Sequence, residues 1–383
     1  MASVLTIDFV RVDEMSGDDW ALWRSMTDAN PDLASPYFRP EFTQVAAAVS
    51  PRAAIAVLSR GGKTVGFFPH QRRGSAMLPL GAPMNDYHGV IAMPAAAPSL
   101  DELAPLLNAG RLSVSAWVGE GAAGQTRTTM MAVLPEGGYD PWYGERRQTF
   151  GKFFKDKERA RRSLESEFGP IRVEHGIRDP QMLDDLIALK QDQYRRTARH
   201  DVFACGWTRD LLHGLMRHPG PDFGASMAAL WAGDQLCAVE YSLHAGQHYH
   251  FWFPAYVPEL ARCSPGILLT LDTMQLAAPE GFRVFDFGFG GEHYKKYFCN
   301  DETIVREATL LRPGVGAGFS QAAVAALNLA GDERGEKLRT SFRRRWAAIE
   351  ACEVDTAGRF KGAVAAAGAA LAKVGKSTAR VPA

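Results

Sequence analysis

At 383 residues the chain exceeds what one hydrophobic core usually organises, so two domains and a tail are the expectation. Basic and acidic residues number 43 each, and the zero net charge argues against a general nucleic-acid binder. The five cysteines, 205, 237, 263, 299 and 352, are odd in number, widely spaced and without a Cys-x-x-Cys pair, which excludes a disulfide scaffold and suits a reducing cytoplasm.

The N-terminus lacks a basic stretch leading into an apolar core, so no secretory signal is expected. No segment approaches the ~18 apolar residues of a membrane span, and any membrane contact is expected to be peripheral, at the inner membrane. Residues 1–150 read as mixed α and β. Leu5–Val12 alternates like a strand, and Asp18–Ala29 and Pro40–Val49 carry helical periodicity. Ala53–Ser59, Lys63–Pro69 and Ala76–Leu80 follow as strands, then a helix near Leu100–Asn108 and strands at Leu112–Val118 and Thr128–Leu134. The Gly/Pro-framed loop Asn85-Asp-Tyr-His88 is either a binding element or a turn whose Asn85 and Asp86 satisfy their own backbone.

Residues 151–168, within a charged, helix-prone run from Tyr143, read as a bridging helix whose basic face is either solvated or turned to phosphate. Residues 169–313 repeat the earlier order. A strand at Ile171–Glu174 precedes helices near Gln181–Thr197 and Thr208–Arg217. Strands at Ser226–Ala232, Gln235–His244 and Gln247–Phe253 come next. Ser264-Pro-Gly266 then opens a helix running from Ile267 to about Ala278. Ser264 is placed to cap it, Pro265 suits its first position, and Gly266 lets a ligand reach the free N–H groups that follow, including Ile267 and Leu268: a ready anion site. A Phe285-Asp-Phe strand, a short helix at Glu292–Phe298 and a strand at Ile304–Leu311 complete the order. Residues 314–383 are Ala-rich and basic. Between Arg334 and Arg380 eleven Lys or Arg face four acids, and Leu338, Phe342, Trp346 and Ile349 fall at helical spacing. This amphipathic helix lies either on an anionic membrane surface or on the protein's own core.

The run Ala261-Arg-Cys-Ser-Pro-Gly-Ile-Leu268, with Phe285-Asp-Phe-Gly288 and Glu292-His-Tyr-Lys295, resembles the GNAT acyltransferases linked to cellulose or exopolysaccharide biosynthesis, relatives of the Fem-type transferases. The resemblance is clearest over residues 150–312. It implies an α+β fold of tandem GNAT-like domains, each a twisted, mostly antiparallel sheet flanked by helices, with the first half a degenerate copy on the acceptor side. It also implies acyl-CoA as co-substrate, its pyrophosphate at the helix start, with Arg262, Ser264, Gly266, Ile267, Leu268 and Lys295 as its contacts. The general Arg/Gln-x-x-Gly-x-Gly/Ala signature is not met: the matching places hold Pro265 and Ile267.

Acyl transfer to an amine needs a base, an oxyanion donor and an acid for the departing thiolate. If Ala245-Gly246 is a tight turn, Glu240 lies opposite Phe251 and His250 opposite Tyr241, so the two point to opposite faces and only one can be the base. Glu240 sits in an otherwise apolar strand, where burial raises its pKa or a partner neutralises it. His248 and His250 share a face but lack a third ligand, so no metal is expected. Asp286 points away from Phe285 and Phe287. The resemblance gives it the task of orienting the acceptor or the base, and gives Tyr294 that of the general acid. The expected function is transfer of a long acyl chain to an amine at the membrane, such as a sphingoid base, in the manner of a ceramide synthase. The alternatives are an exopolysaccharide amino sugar as acceptor, Fem-type aminoacyl transfer, and a non-catalytic scaffold.

Overall fold

The computed structural model describes residues 4–197, 199–312, 345–354 and 358–359. Strand β1 (Leu5–Val10) leads to helices α1 (Gly17–Ala29) and α2 (Pro40–Val49), then to β2 (Ala53–Arg60), β3 (Lys63–Arg73), β4 (Ala76–Pro79) and the two-residue β5 (His88–Gly89). The expected helix near residue 100 is a single turn, α3 (Leu100–Leu103), because Pro105 interrupts it and a 3-10 turn takes over. Strands β6 (Arg111–Val118) and β7 (Gln125–Val133) close the first half.

Helices α4 (Tyr139–Thr149) and α5 (Gly151–Phe168) divide the charged run between them, and β8 (Ile171–Ile177), α6 (Pro180–Thr197) and α7 (Trp207–Leu215) follow. Then come β9 (Gly224–Ala232), β10 (Gln235–Ala245), β11 (His248–Tyr256), α8 (Pro265–Ala277), β12 (Val284–Phe289), α9 (Lys295–Phe298) and β13 (Asp301–Leu311).

One sheet joins everything, in the order β1-β2-β3-β4-β6-β13-β7-β12-β11-β10-β9-β8, so the fold is α+β with two like halves. In the first half β1 to β4 are antiparallel neighbours, β4 runs parallel to β6, and β6 is antiparallel to β13. In the second, β8 to β11 are antiparallel, β11 is parallel to β12, and β12 is antiparallel to β7. The last strand of each half is therefore supplied by the other. β7 and β13 then pair with each other at the seam. The boundary near residue 150 divides the sequence but not the sheet.

Helices α1, α2, α6 and α7 cover one face with a continuous core that runs across both halves, from Trp23 and Phe42 to Leu186 and Tyr241. The other face of the second half packs on α4, α5 and α8 through Trp142, Phe154, Met274 and Phe285. Most of the basic tail lies outside the described residues. The part that is described docks on the protein: Ile349 and Cys352 are buried, Arg73 donates twice to Ala351 O at 2.8 and 3.1 Å, and Trp207 Nε1 donates to Cys352 O at 3.2 Å. Among the described residues no helix is long and apolar enough to cross a membrane.

Exchanged strands make the halves interdependent, so thermal unfolding is expected to be one transition, with calorimetric and van't Hoff enthalpies equal. Gly124, at φ +84 before β7, marks the seam: a Cβ there would lie 2.1 Å from Glu307 O on β13. Gly124→Ala should cost about 2–4 kcal/mol and lower the single transition without splitting it. Two resolved transitions would contradict the interlock.

Candidate active site

In both halves the parallel pair of strands begins in register and then parts. β4 meets β6 only at Ala76 and Met77. Beyond them the gap is refilled by the chain's own loop: His88-Gly89 pairs with Trp117-Val118, and Ile91 exchanges backbone hydrogen bonds with Phe67 at 2.9 and 2.8 Å. His88 Nε2 accepts the N–H groups of Ser115 and Ala116, both at 3.0 Å, and burial pushes its pKa down to about 3, so it stays neutral. The first half's slot is closed by covalent chain.

In the second half β11 meets β12 at His248/Val284, Tyr249/Phe285 and His250/Asp286, and then departs. The Asp-Phe-Gly motif makes the departure. Gly288 adopts φ +66, open to glycine, and its N–H donates to Asp286 Oδ1 at 2.7 Å, bending β12 away from a straight ladder. β11 carries a bulge at the same level: Ser242 pairs with Phe251 and Tyr241 with Phe253, so Trp252 is extra and stands outside the ladder.

At this fork Asp286 collects three hydrogen-bond donors and an ion-pair contact from His250. Oδ1 accepts Tyr87 Oη at 3.0 Å as well as Gly288 N, while Oδ2 lies 3.1 Å from His250 Nδ1 and 3.3 Å from His248 Nε2. The other nitrogen of His250, Nε2, lies 3.2 Å from Asp86 Oδ2. His250 is thus held between a carboxylate of each half, with the Tyr37 ring edge-on at 5.3 Å. His250 and Asp286 are fully buried, whereas the Asp86 side chain keeps 30% of its exposure and is the open side of the cluster. Burial alone would strip the charge from His250, but Asp286 and Asp86 outweigh it and push its pKa up to about 9. Burial likewise opposes ionisation of Asp286, and the charge and hydrogen bonds of His250 and His248 reverse that, holding it well below the usual carboxylate range.

The four predicted catalytic residues fall into two groups on opposite faces. Asp286 and His250 form one group. Glu240 faces Thr273 of α8 across the sheet, and Tyr294 packs with the cluster beneath α8. The opposite-face expectation holds, but the register differs. The hairpin turns at Gly246-Gln247 and the bulge adds a residue, so His250 pairs with Leu243 and Glu240 with Pro254. Glu240 is buried with Oε1 lacking a partner among the described residues, and burial raises its pKa to about 8 against the softer pull of Thr273. Burial also raises the Tyr294 hydroxyl above its ordinary value, with Glu292, Cys299 and Glu240 adding to it.

The predicted anion site is partly as expected. Helix α8 starts at Pro265, but Ser264 takes a left-handed backbone at φ +51 and does not cap with its side chain; its hydroxyl instead accepts Lys157 Nζ at 2.9 Å. Its carbonyl, O, takes the N–H groups of Ile267 and Leu268 at 3.0 and 3.2 Å. Around Gly266 there is room, the nearest atom to an added Cβ being Tyr256 Cδ1 at 3.7 Å. Arg262 is exposed and paired with Glu167. Lys295 does not face a phosphate: its buried ammonium donates to Phe287 O at 2.6 Å and Phe289 O at 2.5 Å, fastening the bent end of β12. A cavity of about 500 Å³ between α4, α5 and α8 is lined by Tyr139, Lys157, Arg161, Arg162, Leu271 and Asp272.

Sequence reasoning flagged the Asn85–His88 loop without assigning its members. Asn85 holds the turn, donating to Leu80 O and accepting Tyr87 N, while Asp86 and Tyr87 reach the other half. Tyr37 carried no signal. Only the pairing across the seam places it beside His250.

Residues 151–296 match the family model described as the acetyltransferase (GNAT) domain. No curated protein sequence matches the chain. Among solved structures, FemX is similar at 11% identity over 79% of this chain and 96% of its own, with a TM-score of 0.48. The C-terminal domain of a proposed lysylphosphatidylglycerol synthetase from Agrobacterium fabrum is similar at 10% identity over 81% of this chain and 96% of its own, with a TM-score of 0.46. A tandem GNAT protein from the clavulanic acid biosynthesis pathway is similar at 12% over 80% and 99%, with a TM-score of 0.45.

A buried acid with a raised pKa has a signature in stability. Glu240 titrates near 8 in the fold against its ordinary 4.5, so its contribution to stability is fullest below about pH 4.5 and is lost as pH rises through 8. Glu240→Gln should match the parent's melting temperature near about pH 5 and exceed it by several degrees near about pH 9. An equal gap at both pH values would show that Glu240 does not ionise alone in the interior.

Proposed function

We propose that this chain is an acyl-CoA-dependent N-acyltransferase, with the donor seated at the start of α8 and along the fork between β11 and β12, and the amine on the His250 side. The observation that carries this reading is the imidazole of His250, held between Asp286 and Asp86 where the two strands part. One imidazolium against two carboxylates leaves an excess of negative charge, which attracts an ammonium, and Asp86 is the carboxylate open to it. His250, once neutral, takes the proton of the bound amine, and Asp286 keeps the ring oriented. The unladdered backbone at Trp252 is the donor we assign to the developing oxyanion. The thioester, when bound, supplies the activated acyl carbon.

At the helix start, where Ser264 O already holds the N–H groups of Ile267 and Leu268, the room around Gly266 and the Lys157 ammonium fit an anionic pyrophosphate, and the cavity beside α5 suits the nucleotide end. For the acceptor we favour an amine with a long apolar body, a sphingoid base, because the wall beside His250 is aromatic: Tyr37, Trp252, Phe253 and Phe203. On this reading the donor is a long-chain acyl-CoA and the enzyme is ceramide-synthase-like, working peripherally at a membrane.

Titration with palmitoyl-CoA and acetyl-CoA is expected to give tighter binding of palmitoyl-CoA, lost in Gly266→Trp. Transfer to a sphingoid base should follow. Transfer only from acetyl-CoA to an amino sugar would replace the lipid reading, and transfer only from a charged tRNA would overturn acyl-CoA dependence. Binding of none of these would leave a scaffold.

The pH profile tests the base. Because His250 is protonated below about 9, kcat should climb roughly tenfold per pH unit from about pH 6 and level near 9. His250→Gln should lose about 10²–10⁴ in kcat and flatten the climb. Asp86→Asn, which removes one carboxylate from the ring, should move the climb to lower pH. A profile that Asp86→Asn leaves in place would assign the titration elsewhere.

A further inference from the structure

The C-terminal segment is fastened at a point where two thiols meet. Cys352 sits in the docked stretch 345–354, and Cys205 in the loop between α6 and α7. Both sulfurs lie against one acceptor, Val202 O: Cys205 Sγ donates to it at 3.3 Å and Cys352 Sγ at 3.8 Å, which places the two thiols side by side. The backbone on either side of the Cys352 side chain is pinned: Arg73 holds Ala351 O, and Trp207 Nε1 holds Cys352 O. Glu350 pairs with Arg111 of β6. These contacts hold the backbone of Cys352 against the loop that carries Cys205. Of the five cysteines only Cys205 is partly open to solvent; Cys237, Cys263, Cys299 and Cys352 are buried.

We infer that Cys205 and Cys352 are an oxidisable pair, a modification site at which a peroxide forms a disulfide that fastens the C-terminal segment to the α6–α7 loop. The step balances. The Cys205 thiolate attacks the peroxide O–O bond, giving a sulfenic acid and releasing hydroxide, which is protonated to water. The Cys352 sulfur then attacks Cys205 Sγ, the S–OH bond breaks, and a second water leaves with the Cys352 proton. Two thiols give up two electrons, and one peroxide is reduced to two waters. The roles follow from the surroundings. The neighbouring Cys352 thiol draws the Cys205 pKa below its ordinary value and outweighs burial, while the Cys205 thiol and burial push Cys352 up.

The bond would tie three pieces together. Arg73 and Arg111 belong to the first half, and Val202 and Trp207 to the second, so the docked segment spans both. Phe203, next to Val202, packs on Phe253 at 5.4 Å; Phe253 adjoins Trp252, and Trp252 meets the Tyr37 ring beside His250. Oxidation thus fixes the loop that walls the acceptor side. The pair itself stands whether or not the proposed acyl transfer is correct, and its test does not depend on that activity.

The full chain is treated with limiting hydrogen peroxide and read by thiol counting and a non-reducing peptide map. The expected result is loss of two of the five thiols, one cross-linked peptide joining Cys205 to Cys352, and full reversal by dithiothreitol. Hydrogen exchange over 345–354 should slow at least about tenfold in the oxidised form. Cys205→Ser should keep its four remaining thiols under the same treatment, and Cys352→Ser should instead carry stable sulfenic or sulfinic acid at Cys205. Five intact thiols after excess peroxide, or a cross-link between Cys237 and Cys263 in place of the expected one, would overturn the inference.

Discussion

The structure depends on one buried carboxylate. Asp286 has no solvent contact, and an unpaired charge there would cost several kcal/mol. It is kept ionised by groups from three places: its own strand through the Gly288 N–H, strand β11 through a hydrogen bond to His248 and the charge of His250, and the first half through the Tyr87 hydroxyl. Each donor also does a structural task. Gly288 bends β12, the histidines hold β11 in register for three residues before it leaves, and Tyr87 pulls the 80–91 loop across the seam. The geometry of the fork and the packing of the two halves are consequently set by the same contacts.

The two halves use one architecture in opposite ways. Each has a parallel strand pair that opens like a fork. In the first half the fork is filled by the polypeptide that follows β4, and His88 satisfies the N–H groups of β6 that the fork leaves bare. That filling loop is also the one that carries Asp86 and Tyr87 outward. The loop that closes one fork thus supplies contacts to the other.

Much of this was legible in the residues. Alternation and helical periodicity located the strands and longer helices to within a few residues, because both faces of the sheet are covered and the apolar period is strongly constrained. Pro265 at the helix start and the opposed faces of Asp286 and its flanking phenylalanines also followed from local rules. What escaped were effects of bulges and distance. A single extra residue at Trp252 changes every pairing beyond it, so the partner of Glu240 could not be counted from the turn. Lys295 reads as an exposed cation, yet the bend at Gly288 frees two carbonyls that capture it. Ser264 reads as a cap, yet its left-handed backbone turns the hydroxyl to Lys157. Asp86, Tyr87 and Tyr37 join His250 only through contacts between residues that lie far apart in the chain, which no local pattern encodes.

The exchange of β7 and β13 bears on how the chain is made. As synthesis proceeds, β6 and β7 emerge as adjacent strands, yet neither is the other's neighbour in the sheet; β7 awaits β12, and β6 awaits β13, the last strand. Residues 125–133 must therefore remain unpaired until residues 284–289 have left the ribosome, and the first half cannot finish folding until residue 311 has. The interval exposes a strand edge that is open to pairing with other nascent chains. The sheet is in this sense completed late, only once its last strand is available, and a gene fragment ending at the apparent domain boundary would encode two unsatisfied edges rather than a domain.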